Sequence, residues 1–178
     1  MTNPTTNPAG DDGDDGALGT SDTDDKQAKK STATRLVELA HGIYTLHVDA
    51  DGTPYAVEID GPNLAVPFRA GRLGLRAQLS AAYLANEGRV APAAALADAL
   101  TALEGEAALA EPAPCGLRVT ADGDGIVIDL GDPDVQAMRV DPGHGWRLQK
   151  ESPVTFRRTA LTGQLPVPVA GGSLGELR

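Results

Sequence analysis

Five aspartates fall within the stretch ADGDGIVIDLGDPD: Asp122, Asp124, Asp129, Asp132 and Asp134. Carboxylates gathered in this way can hold calcium or magnesium, hard cations that take oxygen ligands. A calcium-binding hand loop needs an acidic series ending on a Glu, and that pattern is missing here. Most of these aspartates stand beside Gly or Pro, which is how tight turns are written. The stretch therefore reads as hairpin turns. Histidine offers no better metal site. His41, His47 and His144 have neither an i, i+4 partner nor a neighbouring Cys, and they read as surface or turn residues. The single cysteine, Cys115, rules out a disulfide within the chain and argues against a Cys-based zinc site.

Nucleophiles and phosphate loops are also missing from the sequence. No G-x-S-x-G elbow occurs, and Gly171-Gly172-Ser173 lacks that context. There is no G-x-G-x-x-G after a strand and no G-x-x-x-x-G-K-[ST]. Lys26, Lys29, Lys30 and Lys150 are the only lysines, and none follows a glycine loop. The expectation is a protein that is not an enzyme, with no metal and no cofactor. A small hydrolase is the weakest of the alternatives.

Arginines are the remaining candidates for chemistry. Arg69, Arg72, Arg76 and Arg89 lie close together, with Glu87 the only acid among them. Arg72 and Arg76 are four apart and are expected to share a helix face. A second basic group holds Arg139, Arg147, Lys150, Arg157 and Arg158, opposed by Asp141 and Glu151. Of these, Arg69, Arg72, Arg76, Arg89, Lys150, Arg157 and Arg158 form a candidate phosphate-contacting, nucleic-acid-binding set. The plainer reading is solvated faces and salt bridges to the many aspartates. Trp146, the only tryptophan, reads as a core or rim anchor rather than a platform for bases.

The elements that must position these residues follow from composition and pattern. The chain has 178 residues and a net charge of -10, enough for one domain with tails. Acidity of this degree repels phosphate backbones at long range, so a nucleic-acid contact needs a local basic patch. Aromatics are only 3%, so the core must be aliphatic. Residues 1–32 hold seven Asp and three Lys with few apolar residues, which predicts a disordered acidic tail. The paired DDG units there read as solvated charge rather than a metal site. The start of the chain has no signal-peptide pattern, and no apolar run approaches a bilayer span. These features predict a cytoplasmic protein with no membrane partner.

An α+β domain is expected over residues 33–159. It opens with a short helix around Leu36–Ala40. A β-hairpin follows around Asp51-Gly52, and Leu64–Arg69 forms an edge strand limited by Pro67. A two-helix unit comes next, one helix from about Arg72 to Asn86 stopped by Gly88, the other from Pro92 to about Leu109. An antiparallel β-meander closes the domain, with strands in GLRVT, GIVIDLG, VQAMRVD, WRLQK and VTFRR. Residues 160–178 read as a linker, poorly packed after about Leu161.

One ordered series of motifs resembles a known family. It runs through Ile128–Asp132 (IDLGD), Arg139-Val140, Gly145-Trp146, Pro153 with Phe156-Arg157-Arg158, Leu165–Pro168 and Gly171–Leu174 with Leu177. Upstream, Arg69–Leu79 and the helix Ala95–Ala107 fit the same series. It is similar to the leading module of actinobacterial and phage ATP-binding proteins, which resemble primase-associated, helicase-type P-loop ATPases of mobile elements. The resemblance covers roughly residues 33–178. It implies a non-catalytic N-terminal module that positions DNA or a P-loop ATPase core, present in cis or in trans. The family's ATPase core follows the GGSL step and has no counterpart before Arg178, so no ATPase or helicase activity carries over. The alternative is a protein–protein assembly module that makes no DNA contact.

Overall fold

The computed structural model describes residues 30–169 and 171. The greater part of the acidic tail, and Leu174 and Leu177, lie outside the described residues. Among the described residues the fold is α+β, with three α-helices, two antiparallel sheets and one short parallel pair.

Helix α1 spans Thr32–Ile43. Ser31 caps it, its hydroxyl accepting the Thr34 N–H at 3.1 Å and so satisfying one free donor of the first turn. The helix passes directly into β1 (Tyr44–Val48), which pairs with β2 (Pro54–Glu58) across the expected Asp51-Gly52 turn. Asp49 braces that turn by accepting the N–H groups of Asp51 and Thr53 at 3.0 and 2.8 Å. Strand β3 is only Val66–Pro67, laid on the edge of β2. Proline offers no donor to a further strand, so the sheet stops there.

A 3-10 turn (Gly71–Leu73) leads into α2 (Leu75–Glu87). Arg72 belongs to that turn and not to the helix, because Gly74 breaks the run between it and Arg76. Gly88 ends α2 in the left-handed region at φ 66°, its N–H donating to Leu84 O. Helix α3 spans Ala93–Ala107. It lies chiefly along α1 rather than α2, so the expected helix pair is part of a three-helix layer. Leu36, Ala40, Leu75, Leu79, Tyr83, Leu100 and Leu103 form one core with Tyr44 and Ala56 of the hairpin.

The second half begins with β4 (Cys115–Gly116) and continues as β5 (Val119–Asp122), β6 (Gly125–Asp129), β7 (Ala137–Asp141) and β8 (Gly145–Gln149). Strands β5 to β8 form the four-stranded antiparallel meander, in sequence order. VTFRR does not add a fifth strand to it. Its core, β9 (Thr155–Phe156), pairs in parallel with β4.

Strand β9 joins the two halves of the chain. On one side the Phe156 N–H donates to Asn63 O and the Ala65 N–H donates to Phe156 O. On the other, the Arg157 N–H donates to Gly116 O at 2.7 Å. Gly116 is required by the fit, since a Cβ there would meet the Phe156 ring at 2.9 Å. Phe156 is buried with Val127 and Ala137 of the meander, and Leu64 packs against them. Beyond this joint two hydrogen bonds tie the chain back, while Leu161, Leu165 and Val167 are exposed. Arg118 donates to Gly163 O, and the Leu165 N–H donates to Leu130 O at 2.8 Å. Val169 is again open to solvent. No helix among the described residues is long and apolar enough to cross a membrane.

Candidate docking face

The arginines divide into a committed group and a free one. Arg158 holds the buried Asp129 carboxylate with two hydrogen bonds, at 2.9 and 2.5 Å, and donates to Asp132 O. Arg157 pairs with Asp49 at 2.8 Å. Burial alone would push the Asp49 carboxyl up. Hydrogen bonds from Thr53, Arg157 and Asp51 outweigh it and hold the group below its ordinary value. Arg139 bridges Asp122 and Asp141, and Arg147 shares Asp141. The Arg139 guanidinium, with help from Arg147, holds the Asp141 carboxyl low. Arg69 grips Glu104 in a bidentate pair at 2.9 and 2.8 Å, and Arg89 reaches Glu87, which also takes Arg35.

Arg72, Arg76 and Lys150 make no ion pair among the described residues. Arg76 and Arg69 border an open cleft of about 530 Å³ over Phe68 and Leu100. Arg89 sits past the far end of α2, about 20 Å away along a helix of that length. The seven candidate residues therefore do not converge on one surface.

Asp122, Asp129 and Asp132 serve the fold in the same way. Gly131 N–H donates to Asp129 Oδ1 and Gln136 N–H to Asp132 Oδ1, at 3.0 and 2.8 Å. No group of three or more His, Cys, Asp or Glu is arranged to hold a metal ion among the described residues. His41 meets Glu106 at 2.9 Å, His47 stacks on Tyr55, and His144 bonds to Pro142 O. Burial pushes the Cys115 thiol up, so it is less nucleophilic than a free one.

The residues brought together are apolar. In the meander Ala121, Ile126, Val140 and Trp146 stand opposite one another in one row across all four strands. Val119, Ile128, Met138 and Leu148 form the next row. Residues paired in register share a face, so eight apolar side chains cover one side of the sheet. That side faces outward. Val119, Ile126, Trp146 and Leu148 are 51%, 41%, 39% and 42% exposed. The opposite side is the packed one, with Val127 and Ala137 buried against Phe156 and the Arg139 network beside them. All three helices belong to the other core, with the first hairpin.

A sheet whose strands carry apolar residues on both sides normally has a layer on each. Only β6 approaches this, with Ile126 and Ile128 on one side and Val127 on the other, where its row partners Thr120, Arg139 and Arg147 are polar. The sequence marks GIVIDLG as a strand but not which of its sides meets the core. The register decides which side the core occupies. Trp146 is thus a rim residue on an open face.

At its ends the face is acidic. Asp124 is exposed in the β5–β6 turn, and Asp134 and Glu151 are exposed at the other end beside Lys150. In comparisons with protein-family models, curated proteins and solved structures, none matches the chain, and none links it to a helicase- or primase-type ATPase.

Proposed function

We propose that the protein is a non-catalytic docking module that seats the outer face of its meander against another protein. The observation that carries this is the pair of apolar rows, Ala121–Ile126–Val140–Trp146 and Val119–Ile128–Met138–Leu148, left open while most arginines are held by internal carboxylates. The largest apolar patch on a monomer, about 300–600 Å², is often a functional one, and this face is of that order. The resemblance read from the sequence names a partner class, a P-loop ATPase core of a mobile-element replication protein, in cis or in trans. Positioning that core is the role assigned to the face.

The test is site-specific photo-crosslinking in the cell of origin, with a benzophenone side chain placed at Ile126 or at Leu148. A discrete protein adduct is expected from both positions and not from Leu161, which is 94% exposed and lies off the sheet. Equal labelling from Leu161, or none from the face, would overturn the reading. A P-loop ATPase in the adduct supports the finer assignment, and any other protein removes it.

A second reading, DNA contact, is favoured by Arg72 and Arg76, which have no carboxylate partner among the described residues. Phosphate contacts are strongest at low salt. Fluorescence anisotropy with single- and double-stranded DNA at about 50 mM salt is expected to show binding that the pair Arg72→Glu and Arg76→Glu removes. Absence of binding at that salt ends this reading.

A further inference from the structure

Resting on the docking reading, we infer that the outer face of the meander receives a partner helix whose apolar stripe is flanked by Lys or Arg. Shape and charge together select this occupant.

Four strands spaced about 4.8 Å apart, each contributing about five residues of 3.3 Å rise, give a face of roughly 19 by 16 Å. A second copy of the chain packed face to face would bury only about 600 Å² in total by that measure. A stable, specific interface needs about 1,200 Å² or more. Two copies would also each bring a net charge of -10. Self-association through this face is therefore both too small and opposed by charge.

A single helix fits the same dimensions. Its diameter with side chains is about 10–12 Å, and about eleven residues span 16 Å. A helix laid on a sheet is also a common way to cover an apolar sheet side. Strands on this face carry no charge that would exclude an apolar stripe, since all eight side chains of the two rows are apolar.

Charge at the rim sets the flanks. Asp124 at one end and Asp134 with Glu151 at the other are exposed, and none has an ion-pair partner among the described residues. Lys150 offsets one of them, and Arg147, itself paired with Asp141, lines the same cleft as Asp124. Cationic flanks on the incoming helix meet these carboxylates, and anionic flanks are repelled. The area keeps the contact in the weak, transient class.

Trp146 is the only tryptophan and lies in one of the two rows, so it reports occupancy directly. The experiment titrates the full chain with two 14-residue amphipathic peptides that share one leucine stripe. One has Lys flanks and the other Glu flanks. The Lys peptide is expected to shift the Trp146 emission to the blue and to saturate. The Glu peptide is expected to bind at least tenfold more weakly. Ile126→Glu and Leu148→Glu are expected to abolish the response with far-UV circular dichroism unchanged, whereas Leu161→Glu leaves it intact.

Equal response to both peptides overturns the charge rule while docking at the face survives. No response to either, with crosslinks from Ile126 still found, overturns the helix and leaves a differently shaped partner. A response undiminished in both face variants overturns the face itself and the docking reading with it. If light scattering shows the native chain as a dimer and Ile126→Glu as a monomer, a second copy is the occupant and the inference fails.

Discussion

Arg158 shows how far one residue's role depends on what lies beside it. Asp129 is 1% exposed, and its carboxylate is held by the Arg158 fork and the Gly131 N–H. Removing one partner of such a pair leaves a buried charge without compensation and costs about 3–5 kcal/mol. Arg158→Ala is therefore expected to lower stability by about that amount, read from the urea midpoint. Replacing both partners, by Arg158→Met with Asp129→Leu, is expected to recover most of the loss, because apolar replacement of a buried pair is often close to neutral. A loss below about 1 kcal/mol for the single change would show the pair to be no more than a surface one. The sequence showed Arg157 and Arg158 as adjacent cations, a fair description of a phosphate contact. Their carboxylates were not visible in it, since Asp49 lies 108 residues from Arg157 and Asp129 lies 29 from Arg158. Arg72 and Arg76 have no such partner among the described residues, unlike Arg69 and Arg89, which are paired with Glu104 and Glu87.

At the level of elements, local signals were legible and pairings between distant segments were not. The Asp51-Gly52 hairpin, the Gly88 stop and the meander turns all occur where turn chemistry places them. Strand β9 was misassigned because its alternation fits a meander strand as well as it fits a parallel pair with β4. Helix α3 was expected beside α2 because the two are adjacent in sequence, yet the apolar face of α1 takes most of its contact. The joint made by β9 has a pH dependence of its own. Asp49, at the end of the first hairpin, receives Arg157 from the segment after β9, and its carboxyl is held below the ordinary 3.8. The folded chain therefore binds fewer protons than the unfolded one as the pH falls past about 4. The stabilisation is present in full above that pH and is lost as acid titrates the folded group. Asp49→Asn is expected to lower the urea midpoint at pH 7 and to flatten its fall as the pH drops below about 4. An unchanged slope in that window would remove Asp49 from the account.

For the whole molecule, the sequence disclosed the fold class and the order of its parts. It did not disclose which side of the meander would stay open. Binary pattern marks apolar sides, but in β6 both sides are apolar and the pattern alone cannot rank them. The choice is made at a distance, by Phe156, which takes Val127 and Ala137 for its core and leaves Ile126, Ile128 and their row partners outside. The candidate site was hidden for the same reason. It consists of no motif, only of four strands in register, and its neighbours in space are spread from Val119 to Leu148.

The joint also sets an order in time. Phe156 completes hydrogen bonds to Asn63 and Ala65, and the Asn63 side chain reaches Ser152, 89 residues further along the chain. During synthesis, α1, the first hairpin, α2 and α3 can collapse on one another as they leave the ribosome, because their contacts are complete before the meander exists. The segment around Leu64 has to wait with its backbone donors and acceptors open to water until β9 emerges. A nascent chain halted before Phe156 would thus expose an unpaired backbone edge around Leu64.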